Sequence, residues 1–141
     1  IQFDNLLINM AREGANLAAR TTERPQYILN ALADTAHPMQ MADHGMMYIT
    51  RVVGRPDGLG NVEAQFRPDR GETAIASRIW SCGAWDGNGA CIVPMPRPIV
   101  RLAMDLRDGE VVYAVEAIYE YSPLTRFLLR ADPQIYALTV L

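Results

Sequence analysis

The sequence contains no lysine, so all 13 of its basic residues are arginines. The arginines are scattered among 16 acidic residues and form no basic run of the kind that follows a phosphate backbone. No apolar run approaches the roughly 18 to 20 residues that a helix needs to cross a bilayer. We therefore expect no nucleic-acid partner and no membrane-spanning helix within these 141 residues.

Histidine and cysteine are scarce, with two residues of each type. Neither His37 nor His44 stands beside a serine or cysteine nucleophile in the sequence, and a triad assembled from distant positions has no motif behind it. The chain also lacks a glycine-rich phosphate loop and a dinucleotide fingerprint. These absences argue against an enzyme, and we expect neither a cofactor nor a small-molecule substrate.

Half of the residues are apolar and the formal net charge is −3, which fits one globular domain that buries its own core. No repeat, low-complexity tract or long linker divides the chain. We expect a single domain over residues 1–141. Residues 1–24 would form the end of an N-terminal helix, and residues 25–141 would form a second helix and a β-sheet.

The first twenty residues have the periodicity of an amphipathic helix. One face is apolar and consists of Phe3, Leu6, Leu7, Met10 and Leu17. The opposite face is polar and consists of Asn9, Arg12, Glu13, Asn16 and Arg20. Because the pattern is already helical at its first residue, we interpret the sequence as the soluble part of a longer protein. The alternative is a mature secreted domain whose first helix starts here.

The two cysteines, Cys82 and Cys91, enclose a segment rich in glycine, aspartate and asparagine. Such a segment has no regular structure of its own, and a disulfide across it would remove about 2 to 3 kcal/mol of unfolded-state freedom. We expect a disulfide, which would place the domain in the periplasm or outside the cell. The alternatives are two buried thiols or half of a metal site, although the cysteine spacing is not that of metal ligands.

Residues 97–121 have the pattern of a β-hairpin turning at Asp108-Gly109. In the register set by a two-residue turn, four apolar pairs share one face: Leu106 with Val111, Met104 with Tyr113, Leu102 with Val115, and Val100 with Ala117. Three ion pairs share the other face: Arg107 with Glu110, Arg101 with Glu116, and Arg97 with Glu120. The two patterns agree, and they predict this register.

Other segments complete an α+β prediction. A second helix is expected over 26–36 after Pro25, and strands are expected over 46–53, 62–66 and 135–141. In the second of these strands, Val62, Ala64 and Phe66 would face inward while Glu63, Gln65 and Arg67 face water, leaving the sheet with one wet face.

A short helix over 124–129 is expected after the Ser122-Pro123 start signal, and residues 71–80 fit either a strand or a helix. The sum is two helices packed on an antiparallel sheet of about four or five strands, with a disulfide-closed loop.

Two weak metal sites can be proposed from the residue types. His37 and His44 lie among four methionines, Met39, Met41, Met46 and Met47, and these soft ligands suit copper in an oxidising compartment. The alternative is that the methionines fill core gaps. Asp86 and Asn88 offer oxygen ligands for calcium at alternate positions, but no closing acidic residue follows, which favours a plain turn.

Two short segments carry a resemblance to a known family. Ala11-Arg12-Glu13-Gly14-Ala15 is similar to the segment just beyond the membrane helix of TadE-like minor pilins, and residues 119–124 are similar to their strand-to-helix junction. The resemblance implies a pilin-like fold, a helix packed on an antiparallel sheet. It also implies a structural role as a minor pilin or pseudopilin in the assembly, initiation or tip of a tight-adherence (Tad, type IV) pilus, which supports surface adhesion and biofilm formation.

The resemblance further implies the partners, which are other minor pilins, the major pilin and the pilus assembly platform. It implies inner-membrane anchoring through an N-terminal helix that the printed residues do not include, with the domain in the periplasm and later in the pilus. Arg12, Glu13 and Arg20 are candidate contact residues, the alternative being a solvated helix face. Trp80 and Trp85 are candidates for an aromatic recognition patch, the alternative being packing on the disulfide. The competing hypothesis is a soluble periplasmic module that binds copper, calcium or a small ligand.

Overall fold

The computed structural model describes residues 3–36, 39–121 and 134–141, and the elements and contacts reported below belong to these residues. The helices are α1 (Phe3–Arg20), α2 (Pro25–Asp34) and α3 (Met41–His44). The strands are β1 (Gly45–Gly54), β2 (Gly60–Phe66), β3 (Ile99–Val100), β4 (Val111–Glu120) and β5 (Gln134–Val140). The α+β class, both long helices and the last strand are therefore confirmed, whereas the helix predicted over 124–129 lies outside the described residues.

Helix α1 packs along β4 and β5 through a stripe of mostly small side chains. The buried residues of α1 are Leu7, Met10, Ala11, Gly14, Ala15 and Ala18. Gly14 lets the helix approach closely, because a Cβ atom there would lie 3.0 Å from Val115 Cγ1. Leu17 was expected on this face, but its side chain is 37% exposed. The stripe advances through positions 7, 11, 14, 15 and 18, and position 17 falls outside it.

The described strands form one antiparallel sheet in the order β3-β2-β1-β4-β5. The predicted hairpin is therefore wrong: β4 pairs with β1 and β5, and β3 pairs with β2. The turn itself forms, with Gly109 at φ +78°. However, the Gly109 amide donates to the Gly54 carbonyl at 2.9 Å, so β1 is the neighbour of β4 at this end.

The reason for the different partner lies in β4, where residues 114–119 are all buried. Such a strand must be covered on both faces, and β1 is a suitable neighbour because residues 45–50 are also all buried. The segment expected to pair with β4 instead exposes Arg101, Met104 and Asp105. Burial therefore outweighed the charge pairing that favoured the hairpin.

A β-bulge in β2 reverses the predicted facing of its second half. Val62 pairs with Val52, but Ala64 pairs with Arg51, so the register shifts by one residue between these pairs. As a result, Gln65 lies on the same face as Val62 and is fully buried, although it was expected to face water. Ala64 and Phe66 lie on the opposite face.

Neither face of the sheet is left to solvent over its central strands, so the expected wet face is wrong. One face packs on the helices through Met47, Ile49, Val115, Ala117, Tyr119 and Ala137. The other face carries Met46, Tyr48, Val52, Val112 and Ile118. Residues 67–98, which connect β2 to β3, supply Ile75, Ile79, Trp80, Trp85 and Val93 to cover it. Within this connection, residues 71–80 form neither of the two predicted elements.

Candidate functional site

The outward side of α1 is the first candidate surface. Arg12, Glu13 and Arg20 are exposed there, as the sequence pattern indicates. Ile8 and Leu17 add apolar area to this helix, with 39% and 37% of their surface exposed. Because Ile8 and Leu17 are about two and a half helical turns apart, they lie on opposite flanks of α1, and we refer to Arg12, Glu13 and Arg20 alone as the α1 outer face. Its part in contact with another protein stays a prediction.

The disulfide loop is the second candidate. Cys82 and Cys91 form the predicted disulfide, with their Cα atoms 6.2 Å apart. The loop rests on the rest of the domain at Gly89, whose φ is +75° and where a Cβ atom would lie 2.1 Å from Gln26 Nε2. Glycine is therefore required at this position both by conformation and by space.

Asp86 has a structural task inside the loop. One of its carboxylate oxygens, Oδ1, accepts hydrogen bonds from the amides of Asn88 and Ala90 at 2.8 and 3.0 Å. This is the geometry of a side chain that stabilises its own turn. Asn88 takes part here through its backbone, so the plain-turn interpretation accounts for both candidate calcium ligands.

The two tryptophans are half-buried and pack on the domain. The Arg67 guanidinium carbon lies 4.3 Å from the Trp85 ring centroid, and the Tyr48 ring lies 6.0 Å from the same indole. Trp80 packs on the cluster that contains Val52 and its neighbours. Both tryptophans therefore lie on the sheet face that residues 71–80 cover. Their part in recognition stays a prediction.

Glu116 anchors residues 71–80 on the sheet, although the predicted hairpin register paired it with Arg101. Glu116 is fully buried and accepts hydrogen bonds from Ser77 Oγ at 2.5 Å, from the Arg78 amide at 2.9 Å and from Tyr136 Oη at 2.7 Å. The predicted partner, Arg101, instead lies 3.9 Å from Asp105 in an exposed pair. Three donors around one carboxylate compensate for its loss of water.

The two tyrosines near Glu116, Tyr48 and Tyr136, have raised pKa values. Burial, followed by the hydrogen bond to Glu116 and its negative charge, raises the pKa of Tyr136. Burial raises the pKa of Tyr48 to about 12, with a smaller opposing effect from Arg67. Both phenols therefore keep their protons at neutral pH and act as hydrogen-bond donors.

The other predicted ion pairs are also rearranged. Arg97 lies 3.4 Å from Glu63, which also pairs with Arg51, while Glu120 accepts a hydrogen bond from Gln134 Nε2 at 3.3 Å. Arg107 and Glu110 do meet, but through the Arg107 amide, which donates to the Glu110 carboxylate at 2.9 Å. These corrections follow from the strand order, since the pairs were derived from the hairpin register.

The four methionines of the copper hypothesis are buried in the core, and Met39, Met41 and Met47 share one cluster. Met46 and Met47 lie on opposite faces of the sheet, in different core clusters. His44 is half-buried with its ring 6.3 Å from that of Tyr119, and His37 lies outside the described residues. Across residues 3–36, 39–121 and 134–141, no group of three or more His, Cys, Asp or Glu side chains is placed to hold a metal ion.

Sequence reasoning missed the Glu116 cluster. A signal was present, because Glu116 is the single charged residue between Val111 and Tyr119 in an otherwise apolar strand. An acid in such a run points to a buried and hydrogen-bonded carboxylate when both faces of the strand are covered. The hairpin interpretation, which left one face wet, concealed it.

None of the described helices is both long enough and apolar enough to cross a membrane. Comparison of the chain with known protein families, with curated proteins and with solved structures finds no match in any of the three.

Proposed function

We propose that this chain is the extracytoplasmic domain of a TadE-like minor pilin or pseudopilin. Its role is structural: it takes part in the assembly, initiation or tip of a tight-adherence type IV pilus and so supports surface adhesion and biofilm formation. Its partners are other minor pilins, the major pilin and the assembly platform. The proposal rests on the resemblance of two short segments together with the way in which α1 is used.

The observation that carries the proposal concerns residues 11–15, the first of the two segments that resemble the family. Their side chains divide between two surfaces. Ala11, Gly14 and Ala15 are buried against the sheet, whereas Arg12 and Glu13 are exposed. The inner residues thus fix the helix to its own domain, and the outer residues remain available to a neighbour. This arrangement suits a subunit that assembles through its N-terminal helix.

The disulfide supports the same proposal from an independent direction. A disulfide that closes a surface loop persists in the periplasm or outside the cell and rarely in the cytosol. Cys82 and Cys91 are both half-buried rather than deep in the core, so reductants have access to the bond. An oxidising compartment is therefore part of the proposal, with the domain tethered to the inner membrane by a helix that precedes α1.

Charge exchange on the α1 outer face tests the proposal in the bacterium that makes the protein. Arg12→Glu combined with Glu13→Arg keeps the net charge and reverses the local pattern. The matched control is Arg101→Glu combined with Asp105→Arg, an exchange at an exposed pair distant in sequence from α1. Electron microscopy counts the pili, and immunoblotting measures the amount of the domain.

A loss of roughly 1.4 kcal/mol would weaken the contact about tenfold, and we expect the α1 variant to make clearly fewer pili at an unchanged protein level. The control variant should assemble normally. Normal piliation after deletion of the whole gene would overturn the proposal. Normal piliation of the α1 variant alone would remove the α1 outer face as the contact surface.

A further inference from the structure

Residues 71–80, here called the strap, cross the second face of the sheet without forming a helix or a strand. Within these ten residues only Ile75 and Ser77 are buried. Ile79 and Trp80 are half-buried against the apolar cluster around Val52, so apolar burial holds the strap in place together with the polar contacts described next.

The strongest attachment of the strap is the Glu116 carboxylate on β4. Oε1 accepts a hydrogen bond from the Ser77 hydroxyl, and Oε2 accepts one from the Arg78 amide. The same Ser77 hydroxyl oxygen accepts the amide of Ile79 at 3.1 Å, so one carboxylate organises the turn as well as its position. Tyr136 holds Glu116 from the β5 side and makes no bond to the strap through its hydroxyl.

Several other groups of the sheet reach the strap. The Tyr48 hydroxyl on β1 donates a hydrogen bond to the Ile75 carbonyl at 2.5 Å. Gln65 on β2 donates its side-chain amide to the Trp80 carbonyl at 2.9 Å. The Glu72 amide also donates to the Gly45 carbonyl at 2.8 Å, and the Arg78 guanidinium donates to Gln134 Oε1 at 3.1 Å. Besides its apolar contacts, the strap is therefore held by polar groups of four strands.

The chain beyond the strap is attached differently. The Cys91 amide donates to the Gln65 carbonyl at 2.8 Å, and the Val62 amide donates to the Pro98 carbonyl at 2.9 Å. These are backbone bonds along the edge of β2, and the disulfide ties Cys82, just beyond the strap, to Cys91. Residues beyond Trp80 thus provide a fixed base from which the strap extends.

We propose that the strap opens and closes as one unit while the rest of the domain stays folded, and that Glu116 is its latch. Opening returns the Glu116 carboxylate and the Tyr48 hydroxyl to water, and this hydration offsets part of the lost hydrogen bonding. Opening uncovers Met46 and Ile118 on the sheet face.

Native-state hydrogen exchange of the wild-type protein tests the proposal. The amides of Ile75, Arg78 and Ile79 should exchange through one common opening. That opening should be at least about 100-fold more populated than the one that exposes the β4 amides. If the strap amides exchange only together with those of β4, the strap is not a separate unit and the proposal is wrong.

Glu116→Gln then tests the latch. It should accelerate exchange of the strap amides about tenfold further without changing exchange in α1. Glu110→Gln, next to β4 and with a carboxylate that accepts the Arg107 amide, is the matched control and should leave the strap unchanged. Equal acceleration by both variants, or equal acceleration in α1, would overturn the role of Glu116.

If Glu116→Gln fails to fold, Ser77→Ala replaces it, since this variant keeps the carboxylate and two of its donors. It should accelerate strap exchange by a smaller factor of about three, and no acceleration would count against the latch.

Discussion

The helix-covered face of the sheet and the strap-covered face are stabilised by different interactions. All buried polar residues of the described strands, namely Thr50, Gln65 and Glu116, lie on the strap side. The helix side is apolar and contacts a regular stripe of α1. The strap side also has an apolar core, but its cover is irregular and partly polar, and such a cover can open locally while a regular apolar interface stays closed. We therefore expect the strap side to open more readily than the helix side.

The largest expected effect lies on the helix side. Leu7 is 1% exposed in the α1 stripe, and Leu7→Ala should lower the free energy of unfolding by about 4 kcal/mol, since a cavity forms between helix and sheet. Leu17→Ala on the same helix is the matched control and should cost below about 1 kcal/mol. Urea denaturation measures both. Equal losses would mean that the stripe is assigned to the wrong residues.

The disulfide should contribute the next largest effect. Cys82→Ser combined with Cys91→Ser should destabilise the domain by about 2 to 3 kcal/mol, because the unfolded chain regains the freedom of the closed loop. Thermal unfolding with and without a reductant measures the same quantity in the wild type. A double variant as stable as the wild type would show that the loop is held by its packing on Gln26 and β2 alone.

On the strap side, the matching core truncation should cost less. Ile75 is 2% exposed, yet Ile75→Ala should lower the free energy of unfolding by only about 2 kcal/mol, because the strap can settle into the space. Comparison with Leu7→Ala in the same urea series checks this. A loss as large as that of Leu7→Ala would remove the proposed difference between the two faces.

The smallest effect is a loss of stability in alkali that is expected from the phenols of Tyr48 and Tyr136 and does not occur at neutral pH. Tyr48 and Tyr136 have raised pKa values in the folded protein, so folded protein holds these protons more tightly than the unfolded chain, whose tyrosines titrate near about 10. Their contribution to stability is complete below about pH 10 and is lost as the pH rises through about 12.

Denaturation with urea between about pH 8 and pH 12 should show this loss, and Tyr136→Phe should reduce its slope. Tyr27→Phe, at a tyrosine that is 53% exposed, is the control and should keep the wild-type slope. A slope that Tyr136→Phe leaves unchanged would contradict the assignment.

The same contrast separates what the sequence could predict from what it could not. Helices α1 and α2 and strands β1 and β5 follow from period and breaker residues, and the disulfide follows from two cysteines around a glycine-rich loop. All of these signals are local. The class and the covering of one face by helices could therefore be predicted.

The strand order and the strap could not be predicted, because they depend on non-local burial. The charge pattern of residues 97–120 favoured a hairpin, but β4 is buried on both faces and its neighbour is β1. The bulge that turns Gln65 inward has no local mark, since Asn61 through Arg67 alternate regularly in sequence. Glu116 was therefore assigned to an arginine rather than to the strap.

The central claim, that this domain belongs to a pilus subunit, is tested most directly by determining the residues that precede Ile1 in the native precursor. The account predicts about 20 apolar residues directly ahead of α1, preceded by a short charged leader. A cleavable secretory signal that ends just before Ile1 would contradict it and would make the protein a free periplasmic domain.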